Sequence, residues 1–146
     1  MQYHLGVDIG GTTTTLAIGN QDREVVAISG QFETRSAEGP AATIAAIVEN
    51  ATRELAKLGA SLQHVRAVGL ATPGPATREG VLLKTPNLDP ALWDQCPIRT
   101  LLETAMRQAS ERINVTYIGD GQAAALGEFS VRTGAVQAPG IDIDVT

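Results

Sequence analysis

The stretch LGVDIGGTTTTLAI, residues 5–18, reads as a strand, a two-glycine bend and a second strand, with one carboxylate set just before the bend. Leu5, Val7 and Ile9 alternate with Gly6 and Asp8, and Leu16 and Ile18 flank Ala17, so both arms carry the period of two expected of strands. Gly10-Gly11 is expected to close the hairpin in a tight primed turn, because glycine reaches positive φ without steric cost. The same residues allow a second reading. Gly10, Gly11, Thr12 and Thr13 offer bare amides and hydroxyls at a tip that no large side chain blocks, a composition suited to cradling phosphate. Asp8 is badly placed to touch a phosphate but well placed to hold a hydrated Mg²⁺ that does. Two better-known phosphate patterns are excluded: there is no Gly-x-x-x-x-Gly-Lys run, and glycines at 6, 10 and 11 lack dinucleotide-fold spacing. Plain hairpin and phosphate loop both stay open on these residues alone.

Outward from the hairpin, Asn20 to Arg23 is polar turn material and Glu24 to Ser29 reads as a third strand. Gly39-Pro40 starts a helix whose Ile44, Ile47, Val48, Ala51, Leu55 and Leu58 follow at spacings of three and four until Gly59 ends it. Val65 to Leu70 is a short apolar strand, and the ATPGPA after it must be loop. Val81 to Leu83 is a candidate brief strand. The stretch to Trp93 is mostly turn chemistry with two apolar anchors, Leu88 and Trp93. Pro97 begins a second helix with Ile98, Leu101, Leu102, Ala105, Met106 and Ala109 as its buried stripe. Val115 to Ile118 is a fifth strand, and Gly119-Asp120-Gly121 turns it into an alanine-rich third helix running to about Arg132. The order β-β-β-α-β-α-β-α predicts an α/β fold, a mixed five-stranded sheet with helices on its faces. In such sheets ligands gather beyond the carboxyl ends of the strands, where Asp8 to Thr13, Thr72 to Pro75 and Asp120 should converge.

With 146 residues the chain is one ordinary domain, large enough to bury roughly 70% of its unfolded surface. Its net charge of −5 and its scattered Arg and Lys argue against a nucleic-acid surface. Cys96 is the sole cysteine, which excludes an internal disulfide and a cysteine metal cluster and points to a cytoplasmic location. It reads as a small apolar residue. No basic leader and no apolar run of membrane-spanning length occurs, so no membrane partner is expected. His4, His64 and Trp93 have no partner at ligand spacing and read as packing or surface residues.

Three segments together resemble the ROK family of sugar kinases and repressors, in particular the N-terminal lobe of its ATP-dependent hexose kinases, within the ribonuclease H-like (actin-like ATPase) folds. VDIGGTTTT is similar to the family's first phosphate motif, GLATPGPATREGVLLKTPNL to its sugar loop, and YIGDGQAAALGEF to the segment holding its catalytic aspartate. The resemblance runs from Tyr3 to Gly134. It implies that Asp120 is the general base that takes the proton of a sugar hydroxyl, a role weighed against helix capping, which aspartate also fills commonly. It implies that Asn87 hydrogen-bonds sugar hydroxyls and that Gly74 lets the loop backbone approach the ring, where the plain alternative for both is a turn. Asp8 would sit near the metal, holding Mg²⁺ through water, with Gly10, Gly11, Thr12 and Thr13 meeting the phosphates of ATP. Glu128 is either a sugar contact or a solvent-facing carboxylate.

The sequence also departs from the family pattern. Gly119 and Gln122 stand where relatives carry Asn on either side of the catalytic Asp, which puts hexose affinity and identity in doubt. Thr15 replaces a residue that is often charged. The chain runs out at GIDIDVT, so residues 1–146 are expected to be a single N-terminal lobe, inactive alone. In the family the C-terminal lobe supplies the second phosphate motif, the adenosine pocket, a Glu-x-Gly-His sugar contact and a cysteine-rich structural zinc site. The full-length parent is expected to be a homo-oligomer. A sugar-sensing repressor of this family would carry a helix-turn-helix module ahead of the lobe, and the first strand begins almost at Met1.

Overall fold

The computed structural model describes residues 1–22, 24–72, 76–83 and 88–120, with the backbone alone for Asp120. The expected third helix lies outside the described residues, as do Gly74, Asn87 and Glu128.

The alternation of the opening stretch produces two paired strands, β1 (Tyr3–Ile9) and β2 (Thr13–Asn20), antiparallel with Ile9 opposite Thr14 and Tyr3 opposite Asn20. A short β3 (Val25–Ile28) pairs antiparallel with β2. The two-residue β4 (Phe32–Glu33) pairs with the start of the same strand, Thr13 and Thr14. The sheet therefore has six strands among the described residues, not five. Two residues are too few to show a period, which is why β4 has no sequence signal.

Gly39-Pro40 does start the first long helix, α1 (Pro40–Lys57). Its end is a Schellman cap: the Gly59 amide donates to Ala56 and the Ala60 amide to Leu55, with Gly59 at φ 73°. Ile44, Ile47, Ala51 and Leu55 are buried as the spacing requires, together with Thr43 and Ala46. After a 3-10 turn at Leu62–His64, β5 (Val65–Thr72) runs parallel to β1. That turn is capped at Ser61, whose hydroxyl accepts from the Gln63 amide while the Ser61 amide donates to His64 Nδ1. His64 is thus a capping residue. From Val68 on β5 is continuously buried, as a central parallel strand must be.

Val81–Leu83 forms a single bridge, Leu82 to Ala76, and no full strand. The turn-rich stretch before Trp93 contains one unexpected element, the one-turn helix α2 (Pro90–Trp93), capped by the Asp89 carboxylate on the Ala91 amide. Leu88 and Trp93 are the apolar anchors the sequence suggests, both buried. Helix α3 (Ile98–Arg107) buries Ile98, Leu102 and Met106 but leaves Leu101 exposed, so its apolar stripe is narrower than expected. Leu101 instead lines, with Ala105, a groove whose other wall is Ala41, Ile44 and Val48 of α1.

The last described strand, β6 (Asn114–Asp120), runs parallel to β5. The order across the sheet is β3-β2-β1-β5-β6 with β4 beside β2, so the parallel trio β1, β5 and β6 ends at one edge. Gly119 and Asp120 stay in the strand and do not turn it. The register shifts after Leu70–Tyr117 to Ala71–Gly119, leaving Ile118 as the extra residue of a bulge, and Gly119 takes φ 135° there. The positive φ explains why a glycine occupies the position: the space around it is open, but a side chain would strain the backbone.

Candidate functional site

The hairpin tip is shaped from inside the fold. The Gly10 amide donates to the Thr13 carbonyl at 2.8 Å, so the tip is Gly11-Thr12, one residue later than the expected Gly10-Gly11. Neither Gly10 nor Gly11 has positive φ, so the bend is not a primed turn. The reason is that its carbonyls are pulled back by the segment after β4. Thr34 Oγ1 donates to the Gly10 carbonyl at 2.7 Å, Ser36 Oγ donates to the Gly11 carbonyl at 3.0 Å, and the Thr34 amide donates to the Thr12 carbonyl at 2.9 Å. With all three carbonyls turned inward, the amides of Gly11 and Thr12 have no hydrogen-bond partner among the described residues. Two open amides at a half-exposed tip are suited to an anion.

The support is itself ordered. Thr34 Oγ1 has one hydrogen, spent on Gly10, so Thr14 Oγ1, 2.7 Å away, must be the donor to it. The Thr34 carbonyl accepts from the Thr43 hydroxyl of α1. Thr14, Thr34 and Thr43 are all fully buried. Their isolated hydroxyls, one in a strand, one in a polar loop and one in an apolar helix, carry no spacing that a sequence reading could use.

Asp8 stands one residue from the end of β1, beside Thr15 of β2 and Ala71 of β5. It is half-buried, and burial raises its carboxyl above the ordinary carboxylate range. A cation would offset that cost, so the site fits the Mg²⁺ role, with one carboxylate and therefore room for water as the remaining ligands. No cluster of three or more metal-ligating side chains occurs among the described residues. Because the folded-state value is raised, the folded protein holds its proton more tightly than the unfolded chain. The contribution of Asp8 to stability is thus fully present below the ordinary carboxylate range and lost as pH rises through the folded value. Asp8→Asn is accordingly expected to raise the Tm at pH 7, with the gain vanishing near pH 3; calorimetry at the two pH values checks it.

Asp8 lies in register with Ala71, and Ala71 with Gly119. Two strand spacings thus separate residues 8 and 119, roughly 10 Å. Asp120, in register with Thr72, is one residue further along the same edge. The structure therefore brings Asp8, the 10–13 bend and the backbone of Asp120 to the carboxyl edge of one parallel trio. Beside them is a crevice of about 560 Å³ lined by Ala76, Thr77 and Arg78 on one side and Thr116 to Gly119 on the other. The Tyr117 and Thr72 hydroxyls are 3.0 Å apart across β5 and β6.

The fold is thus a mixed α/β sheet with an anion-suited bend and an aspartate at the carboxyl ends of its parallel strands. The chain belongs to the ROK family, whose model matches residues 4–139. No curated protein sequence matches it. Among solved structures it is similar to the inorganic polyphosphate/ATP-glucomannokinase of Arthrobacter sp. strain KM, with a TM-score of 0.67 and 23% identity over 95% of this chain. It is similar to the ROK family glucokinase of Streptomyces griseus, solved with glucose and AMPPNP, with a TM-score of 0.61 and 26% identity over 93% of this chain. A ROK family transcriptional regulator, a homologue of the E. coli MLC protein, shares the fold with a TM-score of 0.61 and 18% identity over 87% of this chain. The chain spans 51%, 38% and 30% of these three structures. No helix among the described residues is long and apolar enough to cross a membrane.

Proposed function

We propose that the full-length protein is a kinase that moves the γ-phosphoryl group of ATP to a hexose hydroxyl, and that residues 1–146 are the lobe carrying the base and the first phosphate contacts. The observation that carries this reading is the common edge: the open Gly11 and Thr12 amides and the backbone of Asp120 lie at the carboxyl ends of β1 and β6, the parallel strands on either side of β5. Phosphoryl transfer needs little covalent help from the protein, so positioning and charge are what such an edge has to supply.

In this reading the Asp120 carboxylate accepts the proton of the sugar hydroxyl as its oxygen bonds to the γ-phosphorus and the bond to ADP breaks. Gly11 and Thr12 donate to phosphate oxygens, with Gly10 and Thr13 holding the bend. Asn87 and Gly74 meet the sugar, and Glu128 is a further sugar contact. Asp8 would hold Mg²⁺ through water, and the ion when bound supplies positive charge to the phosphate chain. The adenosine pocket and a structural zinc belong to a second lobe, and the lobe alone does not turn over, since closure between two lobes is what expels water. The protein acts in the cytoplasm as a homo-oligomer.

A second reading is a sugar-sensing regulatory lobe without phosphotransfer. It is favoured by Gly119, which offers no side chain to the sugar where kinases of the family carry Asn, and by the likeness in fold to a regulator. The two are separated by ADP release from the full-length protein over a panel of hexoses with Mg²⁺ and ATP. Turnover of at least one hexose at about 1 s⁻¹ or faster is expected for a kinase. Saturable sugar binding without ADP release would establish the regulatory reading.

A further inference from the structure

The 10–13 bend is tied to a distant part of the chain through one residue. Ser36 donates from Oγ to the Gly11 carbonyl, and its own carbonyl accepts from Trp93 Nε1 at 2.8 Å and from the Gly39 amide at 3.1 Å. Trp93 closes α2 and is 1% exposed. It stands six positions after Asn87, and Leu88, which follows Asn87 directly, is also buried. The segment Leu88–Trp93 is therefore anchored at both ends, and its far end is hydrogen-bonded to the residue that holds Gly11.

Ser36 can face both ways because of the residue before it. Arg35 takes the left-handed conformation, φ 61° and ψ 39°, which a non-glycine residue adopts at a cost of about 1 kcal/mol or more. Its guanidinium holds the Glu38 carboxylate through two hydrogen bonds of 2.9 Å, fixing the turn from outside. A strained turn maintained at an exposed surface aims a hydroxyl at one loop and a carbonyl at another.

We propose that Ser36 is a positioning residue that couples the sugar segment to the phosphate bend, so that sugar binding near Asn87 tightens nucleotide binding at Gly11 and Thr12. The proposal rests on the kinase reading above for the identity of the two ligands. Movement of the Leu88–Trp93 segment reaches Gly11 through two hydrogen bonds, and a shift of the Gly11 carbonyl rotates the peptide plane that carries the Thr12 amide. Hydrogen bonds that only stiffened the fold would lower stability when removed and would leave the linkage between the ligands unchanged.

The test uses the full-length protein, with Ser36→Ala and Trp93→Phe as variants and Ser36→Thr, which keeps the hydroxyl, as the rescue. The Kd of AMPPNP is measured with and without saturating glucose. The wild type and Ser36→Thr are expected to bind AMPPNP at least about fivefold tighter with glucose present, and the two other variants less than about twofold. An unchanged ratio in both variants, or no linkage in the wild type, would overturn the proposal. Amide hydrogen exchange of Gly10 and Thr34 in the ligand-free proteins decides the mechanical link even if neither ligand binds, an outcome that would instead remove the kinase reading. Faster exchange at Gly10 in Trp93→Phe supports the link, and unaltered exchange refutes it.

Discussion

Asp120→Asn in the full-length protein is expected to lower kcat for hexose phosphorylation by about 10²- to 10⁴-fold, the usual contribution of a positioned general base. The amide has nearly the shape of the carboxylate but cannot take the hydroxyl proton. Glucose binding should therefore stay within about threefold of the wild type, because hydrogen bonding to sugar hydroxyls is retained. A loss confined to kcat marks an interaction made in the transition state, whereas a rise in KM alone would mark a ground-state contact. If Asp120 were only a helix cap, the variant would remain active, since Asn caps as well as Asp. Steady-state kinetics beside calorimetric sugar titration separates the two, and near-normal turnover would remove Asp120 from the chemistry.

The second large effect is expected at Gly10. A Cβ built there would stand 2.5 Å from the Thr13 carbonyl oxygen, well inside contact distance, and the atom it meets is backbone that cannot rotate away. That carbonyl is the one that closes the bend by accepting from the Gly10 amide. Gly10→Ala must therefore open the hairpin tip or push β2 away from β1. A destabilisation of about 1–3 kcal/mol, as for overpacking elsewhere, is expected, with at least a tenfold weaker AMPPNP affinity. Gly30→Ala is the matching control, because a Cβ at Gly30 meets nothing within 4 Å. Thermal unfolding and nucleotide titration of the pair check the prediction, and equal behaviour of the two variants would show that the tip tolerates rearrangement.

The parts of this fold that are periodic were legible in the sequence. The alternation in Leu5 to Ile9, the three-and-four spacing from Ile44 to Leu55 and the Gly39-Pro40 and Gly59 boundaries each follow from one dominant force, burial of an apolar face or a backbone preference. The tip at Gly11-Thr12 was not legible, because its shape is set by Thr34 and Ser36, more than twenty residues away. Composition also misled at Gly119-Asp120. A Gly-Asp-Gly run reads as a turn, yet β5 keeps the backbone paired through Thr72 and Asp120, and the glycine serves a bulge instead. Trp93 read as a packing residue and is one, but a ring nitrogen that must find a partner once buried also made it a link to Ser36. Local patterns thus placed Asp8 and Asp120 at the same edge, while the bonds that shape the bend depend on tertiary contacts between unremarkable hydroxyls and carbonyls.

The buried threonine trio constrains how this lobe can change over generations. Thr14 gives its hydrogen to Thr34, Thr34 gives its own to Gly10, and Thr43 secures the Thr34 carbonyl. Exchanging Thr34 alone for isosteric Val would strand the buried Thr14 hydroxyl, at a cost of about 1–3 kcal/mol, and would release the half-buried Gly10 carbonyl. Replacing Thr14 and Thr34 together by apolar residues of the same shape would leave no stranded hydroxyl and would cost less. Drift at these positions is therefore expected to proceed in coordinated jumps, with intermediates less fit than either endpoint.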